Sequence, residues 1–216
     1  GNVVSPDEFV AKYGSDVFRM YLMFTGPFEQ GGDWNDKGIN GVARFLDRMY
    51  GLLSDDFSCE DALALEKWTH KTVKRVTKDI EAFQFNTAIA ALMEFLNFAS
   101  KSGISGDSAR VICRVMAPLA PHFAEEIWRS AFGNSTSVFD EEWPEFDPAL
   151  CIEDVIEMVI QINGKVRGKI EVAPDIGKDE ALEMARGLDN VAKYLSEGEV
   201  VKEIFVPGKL VSFVVR

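Results

Sequence analysis

The sequence predicts a mostly α-helical protein, an antiparallel helix bundle followed by a small α+β domain in the order ββ-helix-ββ. Apolar residues recur at helical spacing through the first two thirds of the chain. The pattern then changes to short β-rich runs around Asn163-Gly164 and Pro207-Gly208, with a helical stretch between them. This change of period predicts a helical domain at 31–150 and an α+β domain at 155–216.

Capping residues mark the first two helices. Ser5 followed by Pro6 fits an N-cap and a proline at the first helical position, and Gly14 is placed to end that helix. A second cap at Ser15-Asp16 begins a helix that is apolar nearly all round and is therefore predicted to be buried. Residues 1–30 are set apart as a segment that precedes the bundle.

A basic ridge is predicted on one helix of the bundle. Its lysines follow a 4-3-4 spacing, which places them on one helix face. Cations in that arrangement can contact phosphates, but a lysine face in solvent is the alternative, and the spacing does not decide between them. The ridge consists of Lys67, Lys71, Lys74 and Lys78.

The hairpin around Asn163-Gly164 carries a second set of cations. In its second strand Lys165, Arg167 and Lys169 alternate with mostly apolar residues. Side chains at every second position of a strand share a face and stand about 6.7 Å apart along it. The alternation predicts one buried face and three cations together on the other.

The net charge of −12 argues at first sight against a nucleic-acid partner. The charge is uneven, however: residues 1–154 hold 14 Lys and Arg against 25 Asp and Glu, whereas residues 155–216 hold 9 against 10. Local basic patches are therefore a better guide to nucleic-acid binding than the total charge of the chain.

No catalytic or metal-binding motif stands out. The two histidines, His70 and His122, have no cysteine or serine at a diagnostic spacing, and His122 is predicted to be buried or capping. Cys59, Cys113 and Cys151 lack metal-site spacing and are expected to be free, mostly buried thiols. Because no apolar run is long enough for a membrane span, we expect a cytoplasmic protein.

Several motifs resemble class I aminoacyl-tRNA synthetases. The opening GNVVSPDEFVAKYGSDVFRMYLMF resembles the segment after the KMSKS loop, and MAPLAPHFAEEIW with EEWPEFD resembles the anticodon-binding domain of the leucine, isoleucine, valine and methionine subgroup. The tail, VIQINGKVRGKIEV with EIFVPGKLVSFVV, is similar to the C-terminal domain of the bacterial-type leucyl-tRNA synthetase family.

The resemblance implies a part of a larger enzyme. Gly1-Asn2 is expected to follow the KMSKS loop directly, so the catalytic and editing domains would lie upstream and this chain would be non-catalytic. In the parent enzyme, expected to be monomeric, those domains use ATP and Mg²⁺ to attach leucine to tRNA(Leu). The partners implied are tRNA(Leu) and the missing catalytic domain, with no membrane. Leucyl enzymes do not read the anticodon, so contacts mainly to sugar and phosphate are expected.

The resemblance also selects residues for tRNA binding. Arg44 and Arg48 match the RFLxR arginines of the family, with salt bridges to acidic neighbours as the alternative role. The hairpin cations match NGKxRxK, and Lys209 matches VPGKL; Gly168 stands where relatives often carry alanine, and little effect is expected. The candidates are Arg44, Arg48, Lys165, Arg167, Lys169 and Lys209, with Lys67, Lys71, Lys74 and Lys78 as weaker ones.

A different function stays open at this point. Apart from the resemblance, the composition fits an acidic, helical protein-interaction module with no RNA role, and the net charge of −12 favours it. The hairpin cations favour RNA binding, because an interaction module has no reason to place three cations opposite an apolar face.

Overall fold

The structure is a computed structural model that describes residues 5–27, 34–35, 37–54, 56–152, 155–196 and 198–216. The chain divides into two compact units, Gly1–Cys151 and Ile152–Arg216. The expected junction at Gly1-Asn2 lies outside the described residues. None of the helices in the described ranges is long and apolar enough to cross a membrane.

The first unit is helical, as predicted. Helices α1 and α2, from the segment set apart before the bundle, belong to the same compact unit as the later helices. Short 3₁₀ turns follow at Val138–Asp140 and Ala149–Cys151. The helices are α1 (Pro6–Tyr13), α2 (Ser15–Phe24), α3 (Ile39–Ser54), α4 (Ala62–Glu81), α5 (Phe85–Ser102), α6 (Gly106–Met116) and α7 (Pro121–Ser130).

One part of the bundle core is formed where α3 packs against α2, α5 and α7, and another where α4 packs against α5 and α6. The apolar stripe of α3 is buried along its length, from Val42 at 1% exposure to Met49 and Leu53 at 0%. Each such side chain contributes about 1.5–3 kcal/mol by leaving water. This burial fixes which face of α3 remains outside, and Arg44 and Arg48 lie on that exposed face.

A buried carboxylate joins α2 to α7. Helix α7 begins at Pro121 after Ala120, which supplies no side-chain cap. Asp16 of α2 takes that role: its Oδ2 accepts a hydrogen bond from the backbone N–H of Phe123 at 2.6 Å, and its Oδ1 lies 2.9 Å from Nδ1 of His122. A carboxylate at a helix N-terminus satisfies orphan donors and opposes the positive end of the helix dipole.

His122 is therefore a partner of the capping carboxylate, but it is not buried. Its side chain is 78% exposed, whereas that of Asp16 is 10% exposed. The prediction of a buried or capping histidine is right about the cap and wrong about burial. The ring lies at the first turn of α7, where one edge faces Asp16 and the rest faces solvent.

Replacing Asp16 tests this long-range cap. We expect Asp16→Ala to lower the free energy of unfolding by about 1–3 kcal/mol, because the part-buried N–H of Phe123 loses its acceptor. Urea denaturation followed by circular dichroism measures the change. Asp47→Ala removes the same charge from an exposed position of α3 and should change stability by less than about 0.5 kcal/mol. Equal stabilities of the two variants would contradict the cap.

Cys113 is a buried thiol whose Sγ donates to the carbonyl oxygen of Ala124 at 3.3 Å. Burial raises the pKa of Cys113 from 9.0 to about 12. Because its thiolate forms more readily in the unfolded chain, its stabilising contribution is complete below pH 9 and is lost as the pH rises towards 12. The other two thiols, Cys59 and Cys151, are partly exposed rather than buried.

Thiol modification checks the state of Cys113. At pH 8 we expect an aromatic disulfide reagent to modify Cys59 in the folded chain and to leave Cys113 unmodified, since the thiolate is the reactive form. Peptide mapping after the reaction assigns the labelled residues. Modification of Cys113 at the same rate in native buffer and in urea would show that this thiol is not buried.

The second unit is a four-stranded sheet with two helices. Strand order is β2-β1-β4-β3; β1 runs parallel to β4, and the two hairpins are antiparallel. The predicted single helix is divided at Gly187-Leu188 into α8 and α9. The elements are β1 (Ile156–Ile162), β2 (Lys165–Val172), α8 (Lys178–Arg186), α9 (Asp189–Ser196), β3 (Val200–Val206) and β4 (Leu210–Val215).

Both predicted hairpins are confirmed, and the first has a turn of the expected chemistry. Asn163 and Gly164 have φ angles of 49° and 77°, as a two-residue turn between right-twisted strands requires. The Asn163 side chain also closes the end of β4: its Nδ2 donates to the Val215 carbonyl at 3.0 Å, and the Val215 N–H donates to its Oδ1 at 2.9 Å.

The core of the second unit lies between the sheet and its helices. Met158 and Ile160 of β1 and Phe213 of β4 are 0% exposed, as are Ala181 of α8 and Val191 of α9. All belong to one apolar cluster. One face of the sheet is therefore covered by α8 and α9, and the position of each cation depends on which face its residue occupies.

Candidate nucleic-acid interface

Arg44 and Arg48 are exposed on α3, four residues apart. The guanidinium of Arg48 donates to Oδ1 of Asn97 at 3.2 Å and to the hydroxyl of Ser100 at 3.3 Å, both on α5. Nε of Arg44 donates to the carbonyl of Asn40 at 3.3 Å. These partners are neutral, and the described part of the chain shows no ion pair for either arginine. The alternative role in salt bridges therefore finds no support there.

The two arginines line a groove between α3 and α5. Its walls include Gly41, Met93 and Asn97, and it continues past Arg48 towards Ser100. Asn97 and Ser100 fix the direction of the Arg48 guanidinium while leaving donors available on its outer side. A planar guanidinium held this way can bind a phosphate through two hydrogen bonds.

The lysine ridge of α4 is not a single open face, because the chain returns across it after α7. Trp143 donates from Nε1 to the hydroxyl of Thr77 at 2.8 Å, and the N–H of Asp147 donates to Nδ1 of His70 at 2.9 Å. These two contacts place residues 143–151 against α4. The 3₁₀ turn at Ala149–Cys151 also packs on that helix.

The ridge lysines therefore differ in their surroundings. Nζ of Lys74 lies 5.9 Å from the centre of the Phe146 ring. Burial raises the pKa of the Cys151 thiol, and the nearby charges of Lys74 and Lys71 oppose that increase. Lys67 and Lys71 are half-buried, whereas Lys78, in the last turn of α4, is exposed. Lys74 is exposed as well, so Lys74 and Lys78 are the exposed members of the ridge.

The structure corrects the expected arrangement of the hairpin cations, which do not share one face. Strand β2 carries a bulge: Val166 and Gly168 pair with consecutive residues of β1, and Arg167 between them has no partner residue. Because of this extra residue, the side chains on its two sides in β2 no longer follow one regular alternation between the two faces of the sheet. Val166 is consequently 56% exposed rather than buried. Lys165 lies opposite the buried last residue of β1 and thus on the side of the helices.

The other two hairpin cations already have partners within the unit. Nζ of Lys169 lies 2.8 Å from a carboxylate oxygen of Glu157. The guanidinium of Arg167 stacks over the Tyr194 ring at 4.4 Å, and its buried Nε has no hydrogen-bond partner among the described residues. An isolated glycine inside a strand pattern is a known sign of a bulge, so Gly168 is the signal in the sequence that could have predicted this arrangement.

Lys209 is exposed in the turn before β4. The next residue, Leu210, pairs with Val159, and Val159 also pairs with Lys169 on the other side of β1. Lys209 and Lys169 are therefore close to one line across the sheet, about two strand spacings or 10 Å apart. Lys165 lies at the far end of β2, so the predicted hairpin set is divided into separate positions.

One serine, histidine and aspartate do come together, without forming a catalytic triad. Ser15 Oγ and Asp16 Oδ1 lie 3.3 and 2.9 Å from the same ring nitrogen, Nδ1 of His122. A proton relay needs one partner on each ring nitrogen, so this group can cap a helix but cannot activate the serine. Among the described residues, no group of three or more His, Cys, Asp or Glu could hold a metal ion.

Comparisons with known proteins agree with these features. The family model "Anticodon-binding domain of tRNA ligase" matches residues 64–182. The chain belongs to this family of anticodon-binding domains. The family match makes an interaction module without an RNA role the less favoured interpretation.

Within that family, the whole chain matches leucine–tRNA ligases. It is 42% identical to the leucine–tRNA ligase of Herpetosiphon aurantiacus and 40% identical to that of Dehalococcoides mccartyi, in each case over 100% of this chain. The chain spans only 28% of the length of these relatives, in their C-terminal part.

A solved structure shows the same fold. The protein in the ternary complex of Agrobacterium radiobacter K84 agnB2 LeuRS, tRNA and LeuAMS is 28% identical to this chain, with a TM-score of 0.76. The similarity covers 100% of this chain and 31% of that one. The predicted order of a helical domain and a small α+β domain is confirmed.

The environment of Gly168 gives a test of the bulge. A Cβ there would lie 2.7 Å from Cδ1 of Leu188, the end of a flexible side chain that can move. We expect Gly168→Ala to change the free energy of unfolding by less than about 1 kcal/mol, because the lower entropy of the unfolded chain offsets the crowding. Gly168→Val should destabilise the unit by about 1–3 kcal/mol. Equal urea midpoints for the alanine and valine variants would contradict the close packing of α9 on the bulge.

Proposed function

We propose that this chain is the tRNA-body-binding C-terminal part of a leucine–tRNA ligase. The observation that carries the proposal is the likeness over the whole chain to a LeuRS whose structure was solved with tRNA. The exposed arginines of α3, which have neutral partners, supply a phosphate-binding surface. Such contacts position the tRNA body and do not read its sequence.

In the whole enzyme, this part would hold tRNA(Leu) while the catalytic domain attaches leucine to it. That domain would use ATP and Mg²⁺. We propose that both groups are bound there and not by this chain. We further propose that the whole enzyme acts as a monomer in the cytoplasm and that this chain is non-catalytic by itself.

The arginines of α3 are the first target. We expect the chain to bind a tRNA(Leu) transcript more tightly than a tRNA without a long variable arm, with an affinity that falls steeply as salt rises. Arg44→Gln with Arg48→Gln should lower the slope of log affinity against log salt by about one unit per lost phosphate contact. Filter binding across a salt series measures the slope.

The matched control is Lys12→Gln with Lys101→Gln, which removes the same charge elsewhere on the first unit. If both double variants reduce the slope equally, the effect is one of net charge and Arg44 and Arg48 are not contacts. Absence of binding at low salt would contradict tRNA binding by this chain. In the second unit, the same salt series with Lys169→Gln and Lys209→Gln tests the two cations that lie close to one line across the sheet.

A further inference from the structure

A cleft on the first unit lies where the junction of α1 and α2 meets α3 and α7. It encloses about 320 Å³, and aromatic side chains from three of these helices line it: Tyr13, Tyr50 and Phe123. Tyr50 is 45% exposed, and its ring meets the Phe123 ring edge-on, with centroids 6.3 Å apart and planes at 72°. The Tyr50 ring is thus open to a ligand in the cleft.

Carboxylates supply the charge of this cleft. Asp47 of α3 is exposed, and its carboxylate has no ion pair or hydrogen bond among the described residues. The carboxylate of Asp16 lies 2.9 Å from Nδ1 of His122. In a neutral ring this contact keeps the proton on Nδ1, which leaves the lone pair of Nε2 as a further acceptor. No lysine or arginine of the described ranges lines the cleft.

These groups fit a cation and repel a phosphate. A guanidinium carries its N–H donors in one plane, so it can pair with a carboxylate and stack on an aromatic ring at the same time. Asp47 supplies the carboxylate and Tyr50 supplies the ring. Tyr13 is less available, because Nζ of Lys12 already lies 4.9 Å from the centre of its ring. The cleft therefore favours an arginine side chain over a nucleic-acid backbone.

Helix α1, whose last residue lines the cleft, favours a protein as the source of that arginine. The helix has eight residues, and none of them is buried. A helix this short is marginal by itself in water and depends on tertiary packing. Val10 on α1 is nevertheless 39% exposed. Because the chain spans only 28% of the length of the ligases that it matches, a long part of such an enzyme is available to cover α1.

We propose that the cleft is a docking site for an arginine side chain from the upstream part of the ligase, which also covers α1. The guanidinium pairs with Asp47, stacks on Tyr50 and donates to Nε2 of His122. This inference rests on the proposed function in one respect, namely that this chain is part of a longer ligase. It adds a contact that holds the tRNA-binding part to the rest of the enzyme.

Hydrogen exchange tests whether α1 is covered. We expect the amides of α1 to exchange about tenfold more slowly in the whole ligase than in this chain. Asp47→Asn should raise their exchange rate about threefold in the whole ligase and leave it unchanged in this chain, because the ion pair forms only with the upstream part. The control, Glu66→Gln, removes the same charge from an exposed position of α4 and should change neither rate. Equal exchange of α1 in the chain and in the ligase would overturn the inference.

Crosslinking identifies the occupant of the cleft. Photoreactive benzoylphenylalanine in place of Tyr50 should crosslink, without tRNA, to one upstream segment of the ligase that contains an arginine. Asp47→Asn and the exchange of that arginine for glutamine should each lower the yield about threefold, and both together should lower it no further. A missing crosslink, or one to a second copy of the chain or to a segment without arginine, would overturn the inference.

The salt series with the tRNA(Leu) transcript keeps the two proposals apart. If this chain binds the transcript but α1 is equally exposed in the ligase, the docking site fails and the proposed function stands. If α1 is covered and the crosslink forms but the chain fails to bind the transcript, tRNA binding fails and the docking site stands.

Discussion

The carboxylate of Asp16 caps α7 from α2 and so joins two of the helices that pack on α3. Helix α7 begins without a cap of its own, and the acceptor it needs comes from α2, more than 100 residues earlier in the chain. Helix α3 packs against both of these helices and against α5. The apolar stripe of α3 sets the face on which Arg44 and Arg48 lie, and the cap holds together two of the helices that bury this stripe. Under the proposed function, a loss of this cap would weaken tRNA binding through the position of α3 even with both arginines intact.

Short runs of neighbouring residues were enough to predict the helices and strands. Contacts between distant segments, in contrast, determine which of the candidate cations are exposed. The cap at Ser5, the turn at Asn163-Gly164 and the change from helical to strand period each depend on a few neighbouring residues, and the structure contains all three. Periodicity cannot report that residues 143–151 return across α4, because that contact joins segments about 70 residues apart. The bulge in β2 likewise arises from pairing with β1, and a single extra residue separated three cations that a regular strand would align.

The pairing of cations, more than their number, makes RNA binding compatible with a net charge of −12. A cation that already contacts a carboxylate must give up that contact before it can bind a phosphate, so its net gain is small. Arg44 and Arg48 hydrogen-bond only neutral groups among the described residues and carry no such cost. By this criterion we place the proposed phosphate contacts on the first unit, although it is the more acidic one. Within the described ranges, the Lys and Arg residues that pair with a glutamate include Arg75, Arg129, Lys169 and Arg186.

Two non-glycine residues in the described ranges have a left-handed backbone, and each of them ends an element. The amide group of Asn163 makes two hydrogen bonds to Val215, which complete β4. Phe83 ends α4, where its N–H donates to the carbonyl of Ile80 and the N–H of Gln84 donates to the carbonyl of Asp79. In both places, hydrogen bonds that satisfy the end of a strand or a helix offset the cost of the left-handed backbone.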